Sequence, residues 1–232
     1  MEKNTFRDGV KASLPTAFGY VSIGIACGVV GASAGLTPLQ MGLMSALIYG
    51  GSAQFAFCAL VVAGAGLPTL VLTVFLVNLR NFLMSLHATT VFPKVSLWNG
   101  IGIGSLITDE SYGVMLNEYV HNKTISPAWM HGNNLTGYVT WILSVYFATI
   151  LGAYIPDPEV FGLDFALVAM FVSIFDSQIS AMVQVVAKKK IFWILLAVTI
   201  AYVLLTFVVS ESAAVLLSTL IGCFVGMLLD DK

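Results

Sequence analysis

Apolar stretches of about 18 to 25 residues recur along the whole chain with breaks of only a few residues, and each can cross a hydrocarbon core roughly 30 Å thick. They fall at 13–34, 39–63, 68–90, 97–117, 130–153, 164–186, 191–208 and 212–229. The pattern predicts an all-α, polytopic transmembrane helix bundle of about eight spans, forming one domain over 1–232. Of the 232 residues 58% are hydrophobic and 9% charged, whereas a soluble domain carries about a quarter of its residues as charge. A β-barrel would need segments alternating apolar and polar, and Leu67 to Val77 or Ile191 to Val209 do not alternate.

Other classes are set aside on similar grounds. Net charge is −2 with no basic run beyond Lys188, Lys189 and Lys190, which does not fit a nucleic-acid binder. No loop between spans can hold a catalytic domain, and the chain has no G-x-x-x-x-G-K-[ST] sequence, so ATP hydrolysis by this chain is not expected. The three histidines are too scattered for a metal motif, and neither a metal, a cofactor nor an enzymatic activity is expected. Cys27, Cys58 and Cys223 lie in apolar segments and are expected as packing residues rather than disulfides. Ala32-Ser33-Ala34 mimics a signal-peptidase site, but Leu14 to Ala34 is long enough to span and is expected to stay as the first helix.

Basic residues concentrate in the N-terminal tail and at Lys188 to Lys190, which share a side under an eight-span count; both termini are therefore expected in the cytoplasm. Gly19-Tyr20-Val21-Ser22 resembles Gly137-Tyr138-Val139-Thr140, and aligning Leu39 with Leu163 pairs Leu43 with Leu167, Ser52 with Asp176 and Gln54 with Gln178. These matches suggest a four-plus-four parallel repeat with halves 13–117 and 130–229, against the alternative of chance likeness in apolar sequence.

Polar groups inside the spans carry the functional signal, because an ionisable side chain at the bilayer centre costs about 2.5 to 3.5 kcal/mol on insertion scales. In the second span, Gly50-Gly51-Ser52-Ala53-Gln54 predicts a discontinuous helix whose second half Ser52 would cap, with close helix packing as the alternative. In the third, Asn78, Asn81 and Ser85 share a face, and Arg80 is too deep to snorkel fully, so it needs an acidic partner. Reflection about the connecting loop sets Arg80 within a turn of Asp109, beside Glu110 in the fourth span; reflection about the preceding turn sets Asn78 level with Ala53. A purely stabilising polar network is the alternative to a substrate route. Asp176, on a stripe with Ser173, Ser177 and Ser180, is either a proton carrier or a permanently neutral hydrogen-bond donor. His131, Asn133 and Asn134, which begin the fifth span, and Glu211 are expected as caps or interfacial groups, and Trp98, Trp129 and Trp193 as an aromatic belt.

Tyr49-Gly50-Gly51-Ser52-Ala53-Gln54-Phe55, Asn78-Leu79-Arg80-Asn81, Thr108-Asp109-Glu110 and Asp164-Phe165-Ala166-Leu167, in this order and spacing, resemble the AzlC family, which includes the YgaZ-type proteins. The likeness runs over nearly the whole chain. It implies a bacterial inner-membrane subunit that exports branched-chain amino acids (valine, leucine, isoleucine), often also methionine, together with a small AzlD-type membrane subunit. A site for such zwitterions needs a carboxylate holder, an ammonium holder and an apolar pocket. The expected carboxylate site is the half-helix start at Gly50, Gly51 and Ser52, with Gln54, Asn78 and Asn81 orienting the substrate. Asp109 or Glu110 would receive the ammonium or hold Arg80, and Asp176 would carry a coupling proton. A channel or passive pore for small solutes is the alternative; a channel cannot move a substrate uphill.

Overall fold

The computed structural model describes residues 4–152, 154, 186–209 and 211–229, with isolated positions at 172, 175, 176, 179, 180, 182 and 183. Most of the expected sixth span, with Leu163, Leu167 and Gln178 of the proposed repeat, lies outside the described residues. All regular structure among the described residues is helical, as a membrane bundle requires. The chain divides into two compact units, Met1–Phe171 and Val172–Lys232.

The first unit begins with α1, Phe6–Ser33, about two turns before the expected span, because Thr5 and Asp8 form a capping box. It ends in a Schellman-type turn in which Leu36 N–H bonds to the Gly31 carbonyl and Gly35 takes a φ of 78°. Thr37, with Pro38 and Gln40, starts α2, Pro38–Leu47, by a second capping box. After a break at 48–50 the chain resumes as α3, Gly51–Val62, so the discontinuity expected near Gly50 and Gly51 is present. α4 follows as one uninterrupted helix, Leu67–Val91.

The fourth span departs from expectation. Instead of one helix over 97–117 it consists of α5, Leu97–Gly104, and α6, Asp109–Asn122. Thr108 ends the continuity: its side chain accepts from the Ser111 N–H and the Ser111 hydroxyl accepts from the Thr108 N–H, while Asp109 and Glu110 occupy the first turn, where the helix dipole favours negative charge. α7, Pro127–Gly152, completes the unit. Of these helices α1, α4 and α7 are individually long and apolar enough to cross a membrane, and the second and fourth spans are each built from two half-helices.

α1 and α7 pack along most of their length through main-chain contact. A Cβ on Gly28 would stand 2.6 Å from the Val145 carbonyl oxygen, and one on Gly132 would collide with the Phe6 carbonyl oxygen. Small residues permit this approach, and in lipid such packing replaces the hydrophobic force that drives association in water. A core of Tyr20, Cys27, Met41, Tyr49, Phe55, Trp141 and Val145 lies around the first break. Ile103, Ile107, Met115, Trp129 and Met130 form another around the second. Cys27 and Cys58 are buried free thiols, as expected of packing residues, whereas Cys223 is exposed. Trp129 is not part of an aromatic belt: only 1% of it is exposed, because α7 begins at Pro127 and turns this ring into the core.

The second unit contains α8, Lys188–Leu205, and α9, Glu211–Leu229, packed against each other.

Candidate functional site

The two helix breaks meet at Arg80. Its guanidinium donates to Ser52 Oγ in the first turn of α3 at 2.6 Å and pairs with Asp109 Oδ2 in the first turn of α6 at 2.9 Å. One cation thus joins two half-helix N-termini, whose partial positive charge would otherwise oppose its own. Asp109 makes the arrangement tolerable. Ser52 does not cap α3, as the sequence suggested; Gly50 is the N-cap, with no side-chain hydrogen bond, and the Ser52 hydroxyl is turned to Arg80.

The first break is tightly shaped. Tyr49 adopts a φ of 41°, a conformation uncommon for a bulky residue, and is held there by burial and by an edge-on contact with Tyr138. Gly50 lies directly against Asn78: a Cβ there would be 2.5 Å from Asn78 Oδ1. At the second break Tyr20 of α1 donates to Glu110 Oε2 at 2.8 Å and lies 2.6 Å from Thr108 Oγ1.

Other polar side chains brace the breaks from behind. Gln54 Nε2 donates to Ser45 Oγ at 2.9 Å across the first break, and Gln54 Oε1 accepts from Trp141 Nε1 at 2.7 Å and from the Cys27 thiol at 3.9 Å. Asn134 Nδ2 donates to the Ile103 carbonyl in α5, and Asn133 Nδ2 donates to the Ser111 carbonyl in α6, each at 2.9 Å. The two asparagines are therefore neither caps nor interfacial groups. α7 starts at Pro127, which carries them more than a turn into the helix and buries them against the second break. Sequence reading missed this function because nothing local marks a side chain that binds main chain some 20 to 30 residues away. His131 does remain near the surface, with Nε2 3.0 Å from Asn99 Oδ1.

A cavity of about 410 Å³ opens beside this junction, within the roughly 300–1,000 Å³ common for small-molecule sites. Ile48 and Tyr49 of the first break line it, facing Asn78, Asn81 and Ser85 of α4 and Gly104, Ser105 and Ile107 near the end of α5. A more apolar space of about 450 Å³ shares Ile48, Asn78 and Phe82 with it. One feature suits an ammonium group: Asn81 lines the cavity, and its Oδ1 is buried without a hydrogen-bond partner. Ser85 Oγ donates to the Gly104 carbonyl at 2.8 Å and joins α4 to the end of α5.

Of the residues singled out from sequence, Asn78 and Asn81 line the cavity and Gly50 touches Asn78. Gly51 and Ser52 form the first turn of α3 behind them. Gln54 is fully buried in its bracing network. Asp109 and Glu110 are bound to Arg80 and Tyr20 and are not among the lining residues. Asp176 belongs to the second unit, where it is exposed.

Comparison with known proteins places these residues in a wider set. The family model described as AzlC protein matches residues 15–155, a stretch holding both breaks and the whole cavity. The inner membrane protein YgaZ of Escherichia coli is 31% identical over 157 residues, 65% of this chain and 60% of that protein, so the match spans less than two thirds of its length. The branched-chain amino acid transport protein AzlC of Bacillus subtilis is 24% identical over 179 residues, 75% of this chain and 67% of that protein. An uncharacterized membrane protein of Helicobacter pylori is 27% identical over 175 residues, 75% of each chain. No solved structure matches significantly.

Proposed function

Because the family match covers more than half of its length, this chain belongs to the AzlC family, and we propose that it is a secondary transporter exporting branched-chain amino acids across the bacterial inner membrane. The observation that carries the reading is the cavity between the two broken helices, lined by Asn81 with its unpaired acceptor and by the apolar side chains of Ile48, Phe82, Ile101 and Ile107. The ammonium binds Asn81 Oδ1. The carboxylate accepts from Asn78 Nδ2 and from the uncapped start of α3 at Gly50 and Gly51, where free N–H groups favour an anion. Ile48, Phe82, Ile101 and Ile107 provide surface for a branched side chain. The printed name of the Bacillus subtilis relative supports the substrate class.

Export is driven by protons entering as substrate leaves, both termini face the cytoplasm, and a small AzlD-type membrane subunit completes the exporter. α4 has room for such a subunit: Ala88 is its one buried residue, and Val71, Phe75, Leu83 and Leu86 are exposed.

The test is reconstitution in liposomes with and without the small subunit, following labelled leucine, valine and methionine. An imposed pH gradient should drive leucine and valine uphill, and Asn81→Leu should lower the rate at least about tenfold with the protein still folded. Flux that only ever runs downhill would make the chain a channel, and normal export of valine by Asn81→Leu would remove the cavity from the route.

A further inference from the structure

The two acids that start α6 are held in different ways. Asp109 is paired with Arg80 at 2.9 Å. Glu110 has no basic side chain against it among the described residues; its Oε2 accepts from the neutral hydroxyl of Tyr20. Tyr20 from α1 and Tyr49 from the first break face Glu110, Asp109 adjoins it in sequence, Arg80 of α4 is engaged by Asp109, and α7 contributes the neutral Asn133 at Ser111. Of the charges at the junction, the one on Glu110 can be neutralised without breaking an ion pair.

The Tyr20 hydroxyl also lies 2.6 Å from Thr108 Oγ1, the atom that caps α6 by accepting the Ser111 N–H at 3.3 Å. A phenol has one proton to give. While Glu110 is ionised, that proton points to the carboxylate, and Thr108 donates its own to the Tyr20 oxygen. Once Glu110 is protonated, its O–H donates to Tyr20 and the Tyr20 proton turns to Thr108 Oγ1. Both hydrogen bonds reverse direction, so the charge on one carboxyl group is registered at the cap that defines the second break.

We propose that Glu110 carries the coupling proton, with Tyr20 and Thr108 relaying its state to the start of α6. The carboxylate takes one proton from water on the outer face and returns it to water on the inner face, and no bond other than O–H forms or breaks. The proposal rests on the proton-driven export described above. It differs from the sequence expectation, which gave this role to Asp176.

The experiment compares wild type, Glu110→Gln, Asp176→Asn and Tyr20→Phe in liposomes, measuring leucine exchange without a gradient and net leucine efflux with one. Wild type should show both. Glu110→Gln, which keeps an acceptor for Tyr20, should retain exchange and lose the acceleration by the pH gradient; Asp176→Asn should keep both. Tyr20→Phe, which leaves the acid but removes its donor, should move the pH dependence of net efflux upward by about one pH unit. This shift serves as the readout if Glu110→Gln does not fold. Full gradient-driven acceleration in Glu110→Gln, its loss in Asp176→Asn alone, or an unmoved profile in Tyr20→Phe would each overturn the assignment. Loss of exchange in folded Glu110→Gln would overturn it too, by making Glu110 a substrate ligand. Wild-type protein that moves no leucine in either assay would instead defeat the export reading itself.

Discussion

Arg80 is the side chain that joins the two breaks. It is about a third exposed, 32%, while Asp109 is 13% exposed, so the pair is screened less than a surface bridge and more than a fully buried one. Arg80→Ala should leave the largely buried Asp109 carboxylate without its paired cation and Ser52 Oγ without its donor, and cost about 2 kcal/mol after allowance for that exposure and for the α6 dipole, which still favours the carboxylate. Thermal unfolding in detergent should register this, and Arg80→Ala with Asp109→Ala should recover part of the loss, since no stranded charge remains. Arg80 and Asp109 were legible from sequence because depth in an antiparallel helix pair follows from distance to the shared loop. Gln54 was legible only as a polar residue out of place. What it binds depends on Trp141, 87 residues away, and no local pattern encodes that contact.

At the scale of elements, the broken second and fourth spans decide where chemistry can occur, since each break frees main-chain groups that a continuous helix would satisfy internally. The first break was readable in Gly50-Gly51, where paired glycines weaken a helix interior. The second was equally written in Thr108-Asp109-Glu110-Ser111, a helix-start pattern of cap residue and acidic first turn, but apolar residues on both sides made the span look continuous. Capping chemistry prevailed over hydropathy because Ser111 at the third helical position completes the box. Gly50→Ala tests how closely the first break shapes the cavity. Its methyl group would fall 2.5 Å from Asn78 Oδ1, so Asn78 must move. The expected result is an apparent leucine affinity lower by about tenfold, roughly 1.4 kcal/mol, with little change in thermal stability, measured by equilibrium binding.

For the molecule as a whole, the division of labour among helices follows from how each is packed. Across the first break a side-chain hydrogen bond runs from Gln54 to Ser45, and α4 is buried at one residue, Ala88. α1 and α7 differ, because their main chains touch at both ends of their contact, near Gly9 and Trp129 and again near Val29 and Gly152. Helices joined without intervening side chains cannot roll or slide past each other, because no rotamer is available to absorb the displacement. The pair is expected to act as a fixed frame within the first unit, so that movement there would come from α2 to α6 against it. Spin labels placed across the α1–α7 seam should keep one separation whether leucine is present or absent, whereas a pair spanning α4 and α7 should report two.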